Sequence, residues 1–101
     1  MNDNDDLTRI LAATSEPVRL EIIFLLDSGD KMNVSQISSH FRLSRPAISH
    51  HLKVLKDARV VRSEKSGQEI FYWLDFERVV LALRTLADKI ERNYLPHKTQ
   101  A

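Results

Sequence analysis

The segment Leu43-Ser44-Arg45-Pro46-Ala47-Ile48-Ser49-His50-His51-Leu52-Lys53-Val54-Leu55-Lys56 restricts the fold more tightly than any other part of the chain. Ser44 can accept a hydrogen bond from a first-turn backbone N–H, and Pro46 stands early enough that its missing N–H breaks no helical bond. A helix is predicted over about residues 44–57. Ile48, His51, Leu52 and Leu55 recur at spacings of three and four and can face a core, while Arg45, Ser49, His50 and Lys53 fall on the opposite side. Each of those four side chains can hydrogen-bond. Taken alone, such a stripe is a solvated helix face, and only its surroundings can make it more.

At 101 residues the chain is read as a single domain over 1–101, with an ordered core of about 7–94, long enough for one modest hydrophobic core that dimerisation would help. Hydrophobic content of 43% and charged content of 29% are those of a folded protein. There is no cysteine, which excludes disulfides, thiolate metal sites, cysteine nucleophiles and thiol redox sensing. The first six residues, Met1-Asn2-Asp3-Asn4-Asp5-Asp6, are acidic and lack a signal-type apolar run, and no segment approaches the roughly 18 apolar residues of a membrane span. A cytoplasmic, membrane-free location is expected.

The net charge of +1 conceals a strong asymmetry. Residues 1–30 hold seven acidic against two basic side chains, and residues 42–65 hold seven basic against two acidic ones. A basic block in the middle of the chain is the local field that phosphate binding needs, and an acidic remainder limits indiscriminate attraction.

Around that block the elements follow one another plainly. Leu7, Ile10 and Leu11 recur at helical spacing after the acidic lead-in, whose charges favour a helix N-terminus. Pro17 fits a first helical turn, and Val18, Leu20, Ile22, Ile23, Leu25 and Leu26 make a central core helix that Gly29-Asp30 stops. A third helix is expected from about Val34 to Phe41, capped by Asn33 or Ser35, followed by a short turn into the helix at Ser44. Helix, short turn, helix is the helix-turn-helix arrangement, whose second helix enters the major groove. Val60 to Lys65 and Glu69 to Leu74 are rich in β-branched and aromatic residues and read as a hairpin turning at Ser66-Gly67-Gln68. Asp75 can cap a last helix from Phe76 to about Tyr94, ended by Pro96. Its Val79, Val80, Leu83, Leu86, Ala87 and Ile90 offer more apolar surface than one small domain needs.

The helix order α-α-α-α-β-β-α, together with Glu16-Pro17-Val18-Arg19-Leu20-Glu21-Ile22, the Ser44-to-Leu55 segment and Gly67-Gln68 before Phe71-Tyr72-Trp73-Leu74, resembles the ArsR/SmtB-type winged-helix repressors over about residues 7–93. The resemblance implies a mainly α fold with a β-hairpin, the winged helix-turn-helix. It also implies a homodimer paired through its first and last helices in a prokaryotic cytosol or nucleoid. Such a dimer represses transcription by binding an imperfect inverted repeat in double-stranded DNA, and most members release DNA on binding an inducer. Metal-sensing relatives carry a cysteine pair on the third helix, or an Asp-x-His there with later histidines on the last helix. Here the third helix reads Val34-Ser35-Gln36-Ile37-Ser38, and His40, His50, His51 and His97 do not offer ligand spacing, so no metal site and no cofactor are expected. A small-molecule inducer, a protein inducer and no inducer at all stay open. Arg59 stands where many relatives have glycine, so a left-handed backbone there would cost on the order of 1 kcal/mol; a phosphate contact and a reshaped turn are both open.

Expected DNA-contacting residues follow from this frame. Arg45 can address guanine O6 and N7 or clamp a phosphate, and Ser49 and His50 can meet a base edge or the backbone. Ser44 with Pro46 opens the helix and can also touch a phosphate. Lys53 is either a backbone contact or solvated, and Ser35 and Gln36 can present donors at the start of the third helix. Arg62, Lys65, Ser66, Gly67 and Gln68 form the wing, with Arg62 and Lys65 as its phosphate partners and Gly67 required first by the turn. His51 is read as a hydrogen-bonded packing residue and Trp73 as core or interface packing. Leu7, Ile10, Leu11, Leu83, Leu86, Ala87 and Ile90 are the expected dimer face. The alternative is a winged-helix protein-interaction module without DNA binding, which the basic, polar face opposes. An enzyme is not expected: two glycines cannot build a phosphate-cradling loop, and no nucleophile-base-orienter set is evident.

Overall fold

The computed structural model describes the backbone of residues 3–99 and the side chains of residues 4–94. Its elements are α1 (Asp3–Thr14), α2 (Pro17–Leu25) ending in a 3-10 turn (Leu26–Ser28), β1 (Met32–Asn33), α3 (Val34–Ser38), α4 (Arg45–Asp57), β2 (Val61–Ser66), β3 (Glu69–Leu74) and α5 (Phe76–Thr99). His97, named among the histidines above, lies outside the side chains described. No helix among the described residues is long and apolar enough to cross a membrane.

Each boundary has a local cause. Pro17 opens α2, and the Glu16 carboxylate accepts the Arg19 backbone N–H at 2.9 Å. Gly29, at φ 85°, supplies the left-handed residue that closes the turn after α2. Asn33 and Gln36 form a reciprocal capping box at α3, each side chain accepting from the other's backbone N–H at 2.8 Å. α3 stops at Ser38, short of the expected Phe41, because the chain tightens: His40 donates to the Ile37 carbonyl and Phe41 to that of Ser38. The first helix begins at Asp3, earlier than the apolar spacing marks, since the acidic residues suit its N-terminal turn. The last helix runs past Pro96 to Thr99; a proline forfeits one N–H bond and bends a helix without always ending it.

The end of α4 is a Schellman turn. Val60 N–H donates to the Leu55 carbonyl and Arg59 N–H to that of Lys56, both at 2.9 Å. Arg59 carries φ 62° and is the only positive-φ residue other than glycine among the described residues. Of the two possibilities left open, the backbone keeps the left-handed conformation and the turn is not reshaped. Leu55 and Val60, which flank the turn, are both fully buried, and that apolar contact fixes the turn against the cost of its non-glycine residue.

The sheet has three antiparallel strands in the order β1-β3-β2, with Met32 paired to Tyr72 and Val61 to Leu74. β1 was not expected. Its two residues line the free edge of β3 and join the α3 cap to the hairpin, a link reinforced by Asn33 Nδ2 donating to Glu69 Oε1 at 2.9 Å. The core gathers Ile10 and Ala13 of α1, Ile22, Ile23 and Leu26, Ile37 of α3, Ile48, Leu52 and Leu55 of α4, Val60 and Val61, and Val79 of α5. Ile10 is 0% exposed in the single chain. It belongs to the protomer's own core and offers nothing to a partner, so it leaves the expected dimer face: its turn of α1 points inward, a fact that spacing alone does not reveal.

Candidate nucleic-acid interface

α4 has one buried and one exposed face. Ser44 takes extended backbone angles and its Oγ accepts the Ala47 N–H at 3.2 Å, while Pro46 occupies the first turn. Ile48, Leu52 and Leu55 are each 0% exposed. Arg45, Pro46, Ser49, His50 and Lys53 are all exposed along the other side. Lys53 is paired with Asp57 at 2.9 Å one turn on. An exposed pair of that kind is worth about 0–1 kcal/mol and yields readily to a phosphate.

His51 lies between the faces, mostly covered, and joins α4 to the start of α2. Arg19 Nη1 hydrogen-bonds with His51 Nδ1 at 3.2 Å. Arg19 also donates through Nε to the Ala13 carbonyl at 2.6 Å. Glu16 Oε2 stands 3.8 Å from the same His51 nitrogen. The Arg19 backbone N–H holds the Glu16 carboxyl below the usual carboxylate range against the opposing effect of desolvation, helped by the Val18 N–H and by the charges of His51 and Arg19. This network sets the angle of α4 against the α1–α2 junction. The expectation of a hydrogen-bonded packing role for His51 is met, but its partners belong to tertiary structure and left no mark in the local sequence.

α3 offers less than its sequence suggested. Ser35 and Gln36 are exposed, yet the Gln36 N–H and side-chain oxygen are both consumed by the capping box. Only the Gln36 amide group and the Ser35 hydroxyl and N–H remain to face a ligand.

In the hairpin, Gly67 has φ 63° and Gln68 a negative φ, so the two-residue loop is of the II′ kind that needs glycine first. Lys65, Ser66, Gly67 and Gln68 are exposed at the tip. Arg62 pairs with Trp73 and Lys65 with Ile70; three residues apart on one strand, the two cations leave opposite faces of the ribbon. They cannot serve one backbone contact together. Lys31 explains Trp73: its Nζ lies 4.4 Å from the indole centroid and 3.1 Å from Glu64 Oε1, bracing the sheet from the loop before β1.

Comparison with known proteins agrees with this geometry. A family model described as "Bacterial regulatory protein, arsR family" matches residues 16–63, the span from the α2 cap into β2. The chain is 42% identical over 69 residues to the transcriptional repressor SdpR of Bacillus subtilis, covering 68% of this chain and 76% of that protein. It is 39% identical to the arsenical resistance operon repressor of Staphylococcus xylosus, over 71% of this chain and 68% of that one. The solved ArsR-like transcriptional regulator from Rhodococcus sp. RHA1 superposes with a TM-score of 0.80 at 28% identity, covering 97% and 94% of the two chains. A capped helix with one buried and one polar face, a sheet braced behind it and these likenesses together make the chain a member of the arsR family of bacterial regulatory proteins.

Proposed function

We propose that the chain is a homodimeric, sequence-specific DNA-binding repressor that occupies an imperfect inverted repeat through α4 and the β2–β3 wing. The observation that carries the reading is the division of α4: Ile48, Leu52 and Leu55 on its inner face are fully buried, and Arg45, Ser49, His50 and Lys53 on its outer face can donate to a base or a phosphate. Arg45 reads base edges, with Ser49 and His50 beside it. Ser44 and Lys53 meet the backbone, Ser35 adds a donor from α3, and Lys65 with Ser66, Gly67 and Gln68 follows the flanking groove. Repression is supported by the two curated relatives, which are named as repressors.

The dimer rests on α5 and α1. Leu83 and Ile90 are 44% and 58% exposed, and Leu11 of α1 is also exposed. The radius of gyration is 16.4 Å, against about 13 Å for a compact chain of this size. An apolar helix that reaches beyond its own core is suited to a second copy. Leu7, Leu11, Leu83, Leu86, Ala87 and Ile90 form that face, and a two-fold axis through it would set the recognition helices about 34 Å apart, one turn of DNA.

Selection of bound genomic fragments, followed by footprinting at one defined salt concentration, tests the proposal. Two protected patches about one turn apart, with affinity that falls steeply as salt rises, are expected. Binding without sequence preference, or with a flat salt dependence, would overturn it.

A further inference from the structure

We infer that the groove enclosed by α1, the end of α4, β2 and α5 binds a small organic dianion, its charges carried by carboxylate or phosphate groups. The groove has a volume of about 830 Å³, within the range of small-molecule sites. Lys56, Arg59, Arg62, Arg78 and Lys89 bring five positive charges to its lining. Against them stand three carboxylates, Asp6, Asp75 and Glu77, so the lining keeps a net charge of +2. Asp6 is paired with Arg78, and Asp75 is turned to the Arg78 backbone N–H at 3.4 Å as the cap of α5.

Two further observations point to a ligand. The Asp6 carboxylate takes only the Nη2 side of the Arg78 guanidinium, while Nε is buried without a hydrogen-bond partner. A guanidinium fork is matched by an oxyanion that accepts from two nitrogens at once, and Asp6 leaves half of it unused. A buried N–H left unmet is costly, and Nε meets a ligand oxygen only when the Arg78 side chain turns from Asp6 toward the groove. The second observation is Arg59, held at φ 62° where glycine would sit without strain, with its side chain in the groove lining. Backbone strain of this kind gathers at functional sites, where the side chain is worth more than the conformation costs. Two of these cations, with Arg9 outside the groove lining, are felt at Asp6, whose carboxyl is held below its usual range first by the Arg78 hydrogen bond and then, against desolvation, by the charges of Arg78, Arg59 and Arg9. Asp6 thus acts as an internal stand-in for the ligand's first anionic group. Arg59 and Lys56, at the end of α4, receive the second. Leu7 lines the groove and also belongs to the proposed pairing face, so the ligand would sit beside the dimer contact and between the recognition helix and the base of the wing.

The test uses the DNA-free protein, so its outcome is separate from that of DNA binding. Citrate and pyrophosphate, the carboxylate and phosphate probes, are titrated calorimetrically at matched ionic strength with chloride as the reference. Saturable binding of one probe per chain is expected for at least one of them. Arg59→Gly, which relieves strain and keeps the fold, should weaken it about tenfold or more, Asp6→Asn should tighten it several-fold by freeing Arg78, and Arg42→Ala, outside the groove, should leave it unchanged. No saturable binding of either probe, indifference to Arg59→Gly, or weakening by Asp6→Asn would overturn the inference. So would displacement of the probe by a selected DNA duplex with Arg59→Gly weakening duplex and probe alike, which would make the groove part of the DNA surface.

Discussion

α4 and α5 are both amphipathic helices packed on the same core, and they differ in what they leave outside. α4 buries Ile48, Leu52 and Leu55 completely and shows solvent a row of hydrogen-bonding side chains. α5 buries Val79 but leaves Leu81, Leu83 and Ile90 in solvent, Leu81 at 67% exposure. The first helix is complete within one chain, and its polar outer face suits a polar, charged partner. The second is incomplete within one chain, and its outward face suits another apolar surface. On the proposed function the difference separates two tasks: α4 reads, α5 pairs.

The strongest way to break the comparison is inside α4. Leu52→Ala should cost about 2–5 kcal/mol through lost burial and a cavity, seen in the urea midpoint. A small loss would mean that α4 is not fixed by its inner face. On α5 the change should register in assembly. Leu83→Glu combined with Ile90→Glu should raise the dimer dissociation constant by about 100-fold, roughly 2.7 kcal/mol, while the helical spectrum of the chain is kept. Analytical ultracentrifugation reads this, and an unchanged dimer would place the pairing face elsewhere. Arg45→Ala should leave stability and assembly alone and cost about 1–3 kcal/mol of binding to selected DNA, relaxing preference at one position per half-site. An equal loss on random DNA would reduce Arg45 to a backbone contact.

Smaller effects sharpen the junctions of α4. Arg59→Gly at its C-terminal turn should stabilise the fold by up to about 1 kcal/mol, visible as a higher Tm; a lower Tm would show that the arginine side chain carries more than its backbone costs. At the other junction, the depressed Glu16 carboxyl contributes stability that is present above its unfolded pKa and is lost as pH falls through the lower folded value. Glu16→Gln should therefore be less stable than the native chain near neutral pH, with the gap closing in acid. A gap that persists at low pH would assign the effect to packing.

The contrast between the helices explains which parts of the fold were legible in the sequence. α4 was readable almost to the residue because its signals are local: a serine cap, an early proline and an apolar spacing that ends at the Arg59 turn. The hairpin was readable for the same reason, through Gly67 and the β-branched and aromatic strands. β1 was not, because Met32 and Asn33 become a strand only through the edge of β3 offered to them. Ile10 shares its helical stripe with Leu7 and Leu11, and only packing assigns it to the protomer core. Arg19 and Glu16 support the recognition helix through His51, a contact across 32 residues of chain that no local pattern marks. The opposite orientation of Arg62 and Lys65 was available from the period of a strand once the register was fixed.

The central claim is that two copies of α4, held apart by α5, read DNA together. Hydroxyl-radical footprinting of the native dimer on a duplex selected from genomic fragments tests it directly. Two protected patches of similar sequence in inverted orientation, centred about 34 Å apart on one face of the duplex, are predicted. Both should vanish together in the Leu83→Glu, Ile90→Glu variant. A single patch, or protection that survives the loss of the dimer undiminished, would contradict the account.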